Sequence, residues 1–261
     1  MVPGVALDAP VVSPLPVPPG FSALEPFDAG AHQGLGIRRE VADRFGAGQN
    51  ACYLAATEFF RALHHYPIVF SRLGDGDDYV PVAVFGLRDG ENLFVDQAGA
   101  WEEGAYRPAY VRAYPFYTLD LPPAAAGAEP RSLVCVDPTG LGPTESPLVT
   151  RDGRPTALWQ DRLNFLRELD TARRQTRNLT ESLTEFGLLE LFEAHAHGTG
   201  GDIQRLGGLY RVNEGRLNSL APEALATLMA RGLMSRIYGH LISLDNFAGL
   251  LDRGARREKQ G

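Results

Sequence analysis

The sequence predicts an α+β protein in which an antiparallel β-rich N-terminal half packs against a mainly helical C-terminal half. Short apolar runs rich in β-branched and aromatic residues cluster between residues 68 and 136, whereas helical spacing dominates from residue 156 onwards. Strands that precede helices, rather than alternate with them, are typical of α+β folds. The 261 residues, 44% of them hydrophobic, are enough for one large domain with a sizeable core.

The N-terminal segment is rich in proline. Seven of the 19 prolines fall at or before Pro26, and residues 10–19 are typical of an extended polyproline-like chain. We therefore predict an unstructured arm over residues 1–29, with a docking segment for an aromatic groove as the alternative. Residues 30–252 are then expected to form a single domain, and residues 253–261 a polar tail.

The N-terminal half contains one predicted helix and several strands. Residues 50–65 show helical spacing, and Pro67 would end that helix. Strands are predicted at residues 68–70, 80–87, 92–95, 107–119 and 133–136, with a turn at 74–78.

The C-terminal half is predicted to begin with a long helix from Thr156. Its apolar stripe consists of Phe165, Leu169, Ala172, Thr176, Leu179, Leu183 and Phe186. Packing onto the sheet is the expected role of this stripe, and a coiled-coil seam is the alternative. A helical run at 188–194, a hairpin at 207–217, and helices at 222–231 and 234–251 complete the prediction.

Charge and composition exclude several classes of protein. The net charge of −7 argues against a nucleic-acid-binding domain, which normally carries a basic face. No apolar run approaches the ~20 residues of a membrane-spanning helix. The N-terminus does not resemble a signal peptide, because the first basic residue is Arg38. With two cysteines and no disulfide framework, we expect a cytoplasmic protein with free thiols.

The chain has a single lysine, Lys259, among its 25 basic residues. A P-loop needs a lysine on the phosphates, and a pyridoxal enzyme needs a Schiff-base lysine. Lys259 is the third residue from the end of the sequence, in a polar segment where neither role is expected. P-loop and pyridoxal chemistry are therefore not expected, and the sequence as a whole predicts no cofactor.

His195, His197 and Asp202 form the best metal-ligand candidate. Two imidazoles at positions i and i+2 of a strand or loop can share one metal, and a carboxylate can complete the set. The alternative is that both histidines end a helix and interact with its dipole, since Gly198 follows them. This alternative is favoured, so no metal is expected.

Cys52 is the candidate nucleophile. It begins the helix predicted at 50–65, and a helix N-terminus lowers the pKa of a thiol, as in cysteine hydrolases with a remote histidine. The alternative is a small buried core residue. No recognisable sequence signature for catalysis surrounds Cys52.

The most distinctive segment is residues 106–116, in which tyrosines surround an arginine. On the strand predicted there, Tyr106, Tyr110, Arg112 and Tyr114 would share one face, with Trp101 close by in sequence. Arginine among tyrosines can hold a carboxylate, phosphate, sugar or peptide. The alternative is a structural face that covers the long helix.

Nine short stretches, in this order and spacing, resemble the bacterial SapC family over residues 30–250. They are Glu58 with residues 66–70, then 82–87, 92–96, 99–101, 106–116, 208–210, 217–228, 232–233 and 240–244. The resemblance implies a connection with bacterial surface-layer genes and with proteins encoded near TonB-dependent receptors. Some members carry a peptidase label, but the resemblance brings no catalytic residues to this chain.

Together these observations favour a cytoplasmic accessory protein that binds a protein, a peptide or a small anionic ligand. The predicted binding residues are Trp101, Tyr106, Tyr110, Arg112 and Tyr114. The alternative is an enzyme, either a metal-dependent hydrolase or oxygenase through His195, His197 and Asp202, or a cysteine peptidase through Cys52. A homodimer is compatible with the apolar C-terminal helices.

Overall fold

The computed structural model describes residues 15–121, 131–197 and 203–259. It confirms the α+β class, with antiparallel sheets in the N-terminal half and a long helix followed by shorter ones in the C-terminal half. The strands are β1 Glu25–Pro26, β2 Leu35–Ile37, β3 Ala51–Tyr53, β4 Ile68–Arg72, β5 Tyr79–Val84, β6 Phe116–Leu121, β7 Arg131–Val136, β8 Leu141–Pro143, β9 Leu189–His197 and β10 Ile203–Val212. The helices are α1 Arg39–Ala42, α2 Phe59–Ala62, α3 Ala109–Ala113, α4 Ala157–Glu185, α5 Glu214–Asn218, α6 Pro222–Ala230, α7 Met234–Ser243 and α8 Asn246–Glu258.

The strands form three antiparallel sheets among the described residues. The largest has the order β3-β5-β4-β10-β9, so the two late strands extend a sheet that the N-terminal half begins. The second sheet has the order β1-β7-β6, and the third pairs β2 with β8. The fold therefore joins both halves of the chain through the β4–β10 pairing.

Helix α4 spans two hydrophobic clusters. Thr156 caps its N-terminus, since the side-chain oxygen accepts a hydrogen bond from the Trp159 amide at 3.3 Å. Leu166 packs into the smaller cluster with β7 and β8, and Leu179 and Leu183 pack into the larger one. The apolar stripe therefore packs against the body of the protein, as expected.

The helix predicted at residues 50–65 is wrong for most of its length. Residues 51–53 form strand β3, where Cys52 lies opposite Ala83 of β5. A 3₁₀ turn, Ala56–Glu58, and the four-residue α2 follow. Pairing with β5 overrides the local helical spacing, because the tertiary partner decides the state of a short segment.

The strand predicted at residues 107–119 is also partly wrong. Residues 109–113 form α3, with Pro108 at its N-cap, and strand β6 begins only at Phe116. Proline suits the start of a helix because it lacks a backbone donor. Residues 92–95 form no strand, and the structure gives only an isolated bridge between Val95 and Trp101.

Three C-terminal expectations are corrected as well. Residues 189–197 form strand β9 rather than a helix, because they pair with β10 along most of their length. Asn213 does not turn a hairpin but caps α5, accepting a hydrogen bond from the Arg216 amide at 2.7 Å. The predicted helix at 234–251 is two helices, α7 and α8.

The described parts of the predicted arm (residues 15–29) and of the predicted tail (residues 253–259) contain regular structure. Phe21 is buried against the rings of Phe45 and Tyr114, and β1 pairs with β7. Residues 15–29 therefore belong to the fold, whereas residues 1–14 lie outside the described residues. The expected polar tail continues α8 to Glu258, and Arg257 donates to the Asn92 carbonyl at 2.7 Å.

His240, on α7, forms hydrogen bonds with the backbones of both β10 and β4 of the large sheet. Its side chain is fully buried, Nε2 accepts a hydrogen bond from the Val212 amide at 3.0 Å, and Nδ1 lies 2.7 Å from the Ile68 carbonyl oxygen. Because Nε2 must accept, the proton of the neutral ring is on Nδ1, which donates to Ile68. Only the neutral ring satisfies both partners.

This arrangement predicts that acid destabilises the protein through His240. Burial lowers the pKa of His240 to about 4, while the unfolded chain titrates near its ordinary value of 6.5. Stability is therefore fully retained above pH 6.5 and falls as the pH drops towards 4, by about 2 kcal/mol between pH 6.5 and 5. Urea unfolding of the wild type and of His240→Asn at pH 7 and pH 5 measures this loss. The variant should lose less stability than the wild type over this range, and parallel losses would contradict the assignment.

Candidate functional site

Two of the predicted binding tyrosines are part of the core. Tyr110 and Tyr114 are 7% and 4% exposed, and both rings pack against Phe21. The Tyr110 hydroxyl donates to the Pro19 carbonyl at 2.5 Å, and the Tyr114 hydroxyl lies 3.2 Å from Oγ1 of Thr139. Burial raises the pKa of both phenols. These tyrosines hold the N-terminal segment against α3.

Tyr106 binds a buried carboxylate. Its hydroxyl donates to Oε1 of Glu58 at 2.8 Å, and the Ala109 amide donates to the same oxygen at 2.6 Å. Oε2 accepts from the Ala55 amide at 3.0 Å. Burial raises the pKa of Glu58, and burial together with the neighbouring carboxylate raises the pKa of Tyr106 to about 12. The cluster fixes the start of α3.

Trp101 is another of the predicted binding residues. Its half-buried ring meets Phe85 edge-on at a centroid distance of 5.3 Å, and its backbone bridges to Val95. The five predicted residues therefore do not share one strand face. Sequence alternation suggested a strand, but α3 distributes these side chains between the core and the surface.

Arg112 is the exposed member of the predicted set. Its Nε donates to the Arg107 carbonyl at 3.0 Å, and its guanidinium carbon lies 5.1 Å from the centre of the Phe165 ring. A cation above an aromatic face is held by electrostatic attraction. Within the described part of the chain, no carboxylate lies within 4.0 Å of its guanidinium.

Arg112 lines an open groove of about 1160 Å³ between α1, α3, α4 and the segment at residues 141–146. We call it the arginine groove. Its basic side chains are Arg38, Arg39, Arg107, Arg112 and Arg162. Its acidic side chains are Glu40, Asp43 and Glu145. Of the predicted binding residues, Tyr114 also lines it, whereas Trp101, Tyr106 and Tyr110 do not.

The positive charge of the groove is only partly neutralised. Arg38 pairs with Glu40 at 3.0 Å, and Arg107 lies 3.6 Å from Asp43. Arg162 has no carboxylate within 4.0 Å among the described residues; its Nη1 donates a long hydrogen bond to the Arg112 carbonyl at 3.4 Å. Partial burial lowers the pKa of Arg162. Arg39, Arg112 and Arg162 thus have no ion pair within 4.0 Å among the described residues. At longer range, Arg112 still attracts the buried Glu58 carboxylate and Arg162 the neighbouring Asp161 carboxylate.

Comparison with known protein families supports the resemblance seen in the sequence. The family model for SapC matches residues 27–250 of the 261 residues. The chain belongs to the SapC family. The family match includes every residue that lines the arginine groove. No curated protein and no solved structure matches the chain.

In this SapC-family chain the histidine pair lies on a strand. His195 and His197 are in β9, where their backbone positions lie opposite Arg205 and Ile203 of β10. The expectation that they end a helix is therefore wrong. Asp202 lies outside the described residues, so a site formed by all three stays a prediction. Across residues 15–121, 131–197 and 203–259, no cluster of three or more histidine, cysteine or acidic residues is arranged to hold a metal ion.

Cys52 does not begin a helix. It lies in β3, is 4% exposed, and its thiol donates to the neighbouring Tyr53 carbonyl at 3.3 Å. Burial raises its pKa well above the ordinary value, and the nearby Glu58 carboxylate adds to this effect. The structure thus favours the alternative of a small core residue, since a nucleophile needs an accessible thiolate.

None of the helices described is both long enough and apolar enough to cross a membrane.

Sequence reasoning identified Arg112 but missed Arg162, which comes from α4, 50 positions later. The spacing of Leu158, Arg162 and Phe165 at i, i+4 and i+7 places them on one face of a helix and is the signal that could have found it.

Both thiols are expected to be unreactive in the folded protein. Cys135 is also buried, and burial raises its pKa to about 11. Titration with Ellman's reagent at pH 8 should therefore give less than a tenth of one thiol per native chain over minutes, and two in denaturant. Rapid modification of Cys52 in the native protein would restore the cysteine-hydrolase hypothesis, and Cys52→Ala identifies which thiol reacts.

Proposed function

We propose that this SapC-family chain is a non-catalytic accessory protein that binds an anionic segment of a partner protein through the arginine groove. The observation that carries the proposal is the pair of arginines, Arg112 and Arg162, which line one groove with no carboxylate within 4.0 Å of either guanidinium among the described residues. Arginine is well suited to this task, because its planar guanidinium can donate two parallel hydrogen bonds to one carboxylate.

The shape of the groove favours a protein segment over a small metabolite. Sites for small molecules are typically clefts or cavities of ~300–1,000 Å³ that are lined mostly by apolar side chains and bury most of the ligand's surface. The arginine groove is partly open to solvent, holds about 1160 Å³, and has five arginines and three carboxylates among its lining residues. An extended chain can lie in such a groove and remain partly exposed.

The candidate nucleophile and a buried histidine are both unsuited to catalysis, which supports a binding role. Cys52 is buried with a raised pKa, and both ring nitrogens of His240 are occupied by backbone partners. The free thiols are in keeping with a cytoplasmic location. We extend the proposal to a partner from a surface-layer or TonB-receptor system, the association that the family resemblance implies.

Reversing the charge of Arg112 should remove most of the binding. With a fluorescein-labelled hexaglutamate peptide as the probe, Arg112→Glu should weaken binding to the full chain at least tenfold, because a carboxylate then faces the ligand. Arg174→Glu is the matched control, since Arg174 is exposed on α4, does not line the groove, and its reversal changes the net charge equally. Fluorescence anisotropy at low salt measures both dissociation constants.

The control should stay within twofold of the wild type. Binding of the wild type should also weaken as salt increases, because exposed charges are screened over about 10 Å at 0.1 M salt. Equal losses in the two variants would show that only the overall charge matters. If the wild type binds neither hexaglutamate nor a peptide with a single acidic residue, the proposed function is contradicted.

A further inference from the structure

We infer that the arginine groove recognises a short acidic–apolar segment, in which an aspartate or glutamate has large apolar residues within about three positions. The inference rests on the proposed function and specifies its ligand. Its basis is the wall that α4 contributes to the groove, where Leu158, Arg162 and Phe165 follow one another along the helix.

These three side chains form one continuous strip. They are spaced i, i+4 and i+7, so they lie on the same helical face. Each is half-buried, which leaves part of its surface open to the groove. At ~1.5 Å of rise per residue, the strip from Leu158 to Phe165 is about 10 Å long. Three residues of an extended peptide cover the same length, at ~3.3 Å each.

The strip places a cation between two apolar contacts. Arg162 lies between Leu158 and Phe165, and Arg112 stands over the Phe165 ring. The Arg162 guanidinium also reaches the Arg112 carbonyl. A ligand carboxylate can therefore meet Arg112 and Arg162 together, while apolar ligand side chains cover Leu158 and the open part of Phe165. Burying this apolar surface contributes favourable binding free energy that a purely acidic peptide lacks.

The rest of the groove limits how many acidic groups the ligand can use. Arg38 and Arg107 are already paired with Glu40 and Asp43, and Glu145 adds a further negative charge. Apart from Arg39, additional ligand carboxylates would therefore meet arginines that are already paired, or like charges, which disfavour them. A single acidic residue with apolar neighbours matches the groove better than an acidic run.

Three labelled peptides test the inference on the unmodified full chain. The first contains Leu-Ser-Glu-Phe between Gly-Ser flanks, the second replaces Leu and Phe with Ser, and the third replaces Glu with Gln. We expect the first to bind at least tenfold more tightly than either of the others, as measured by fluorescence anisotropy. Leu158→Ser should reduce this advantage to less than threefold while the hexaglutamate probe still binds.

Leu191→Ser is the matched control, because Leu191 is an exposed leucine on β9 that does not line the groove. It should leave all three dissociation constants within twofold of the wild type. Should Leu158→Ser fail to fold, Leu158→Ala replaces it. If the peptide without apolar residues binds as tightly as the first, the inference is wrong while the proposed function stands. If no acidic peptide and no hexaglutamate binds, both are wrong.

Discussion

The buried carboxylate of Glu58 is the interaction on which the geometry of the groove depends. It accepts hydrogen bonds from the Ala55 amide, the Tyr106 hydroxyl and the Ala109 amide, which come from two distant parts of the chain. A buried carboxylate is costly unless its oxygens are satisfied, and removing it would leave three donors without a partner. Glu58 thus fixes α3, and with it the position of Arg112.

Helix α4 is connected to the same turn. The Ala56 amide donates to Oγ1 of Thr176 at 2.8 Å, so the residues beside Glu58 also hold the helix that carries Arg162. The two arginines of the groove come from separate elements, yet both elements are attached to one 3₁₀ turn. The backbone positions of both arginines are therefore set by core hydrogen bonds. The contacts of Arg112 with the Arg107 carbonyl and the Phe165 ring then orient its side chain.

The sequence predicted the elements whose periodicity agrees with their tertiary partners. A strand buried on both faces gives a continuous apolar run, and a long amphipathic helix gives a regular apolar period. These patterns predicted strands β4, β5 and β7 and helix α4. The strand predicted at 107–119 is wrong over residues 109–113, because tyrosines at i and i+4 share a helical face much as alternate residues share a strand face. The sequence marks Glu58 as part of the family resemblance and of the helix predicted at 50–65, but not as a buried acceptor, since its three donors come together only through the fold.

The stability of Glu58→Gln tests the dependence of α3 on this carboxylate most directly. The glutamine side chain keeps one acceptor oxygen, but its NH2 group would face a backbone amide or the Tyr106 hydroxyl, which are donors to the carboxylate. Urea unfolding should therefore show a free energy of unfolding lower by about 2 kcal/mol. Hydrogen exchange at the Ala109 amide should accelerate more than the global loss explains. Glu181→Gln, an exposed position on α4, should behave as the wild type. Wild-type stability together with unchanged Ala109 exchange in Glu58→Gln would contradict the account.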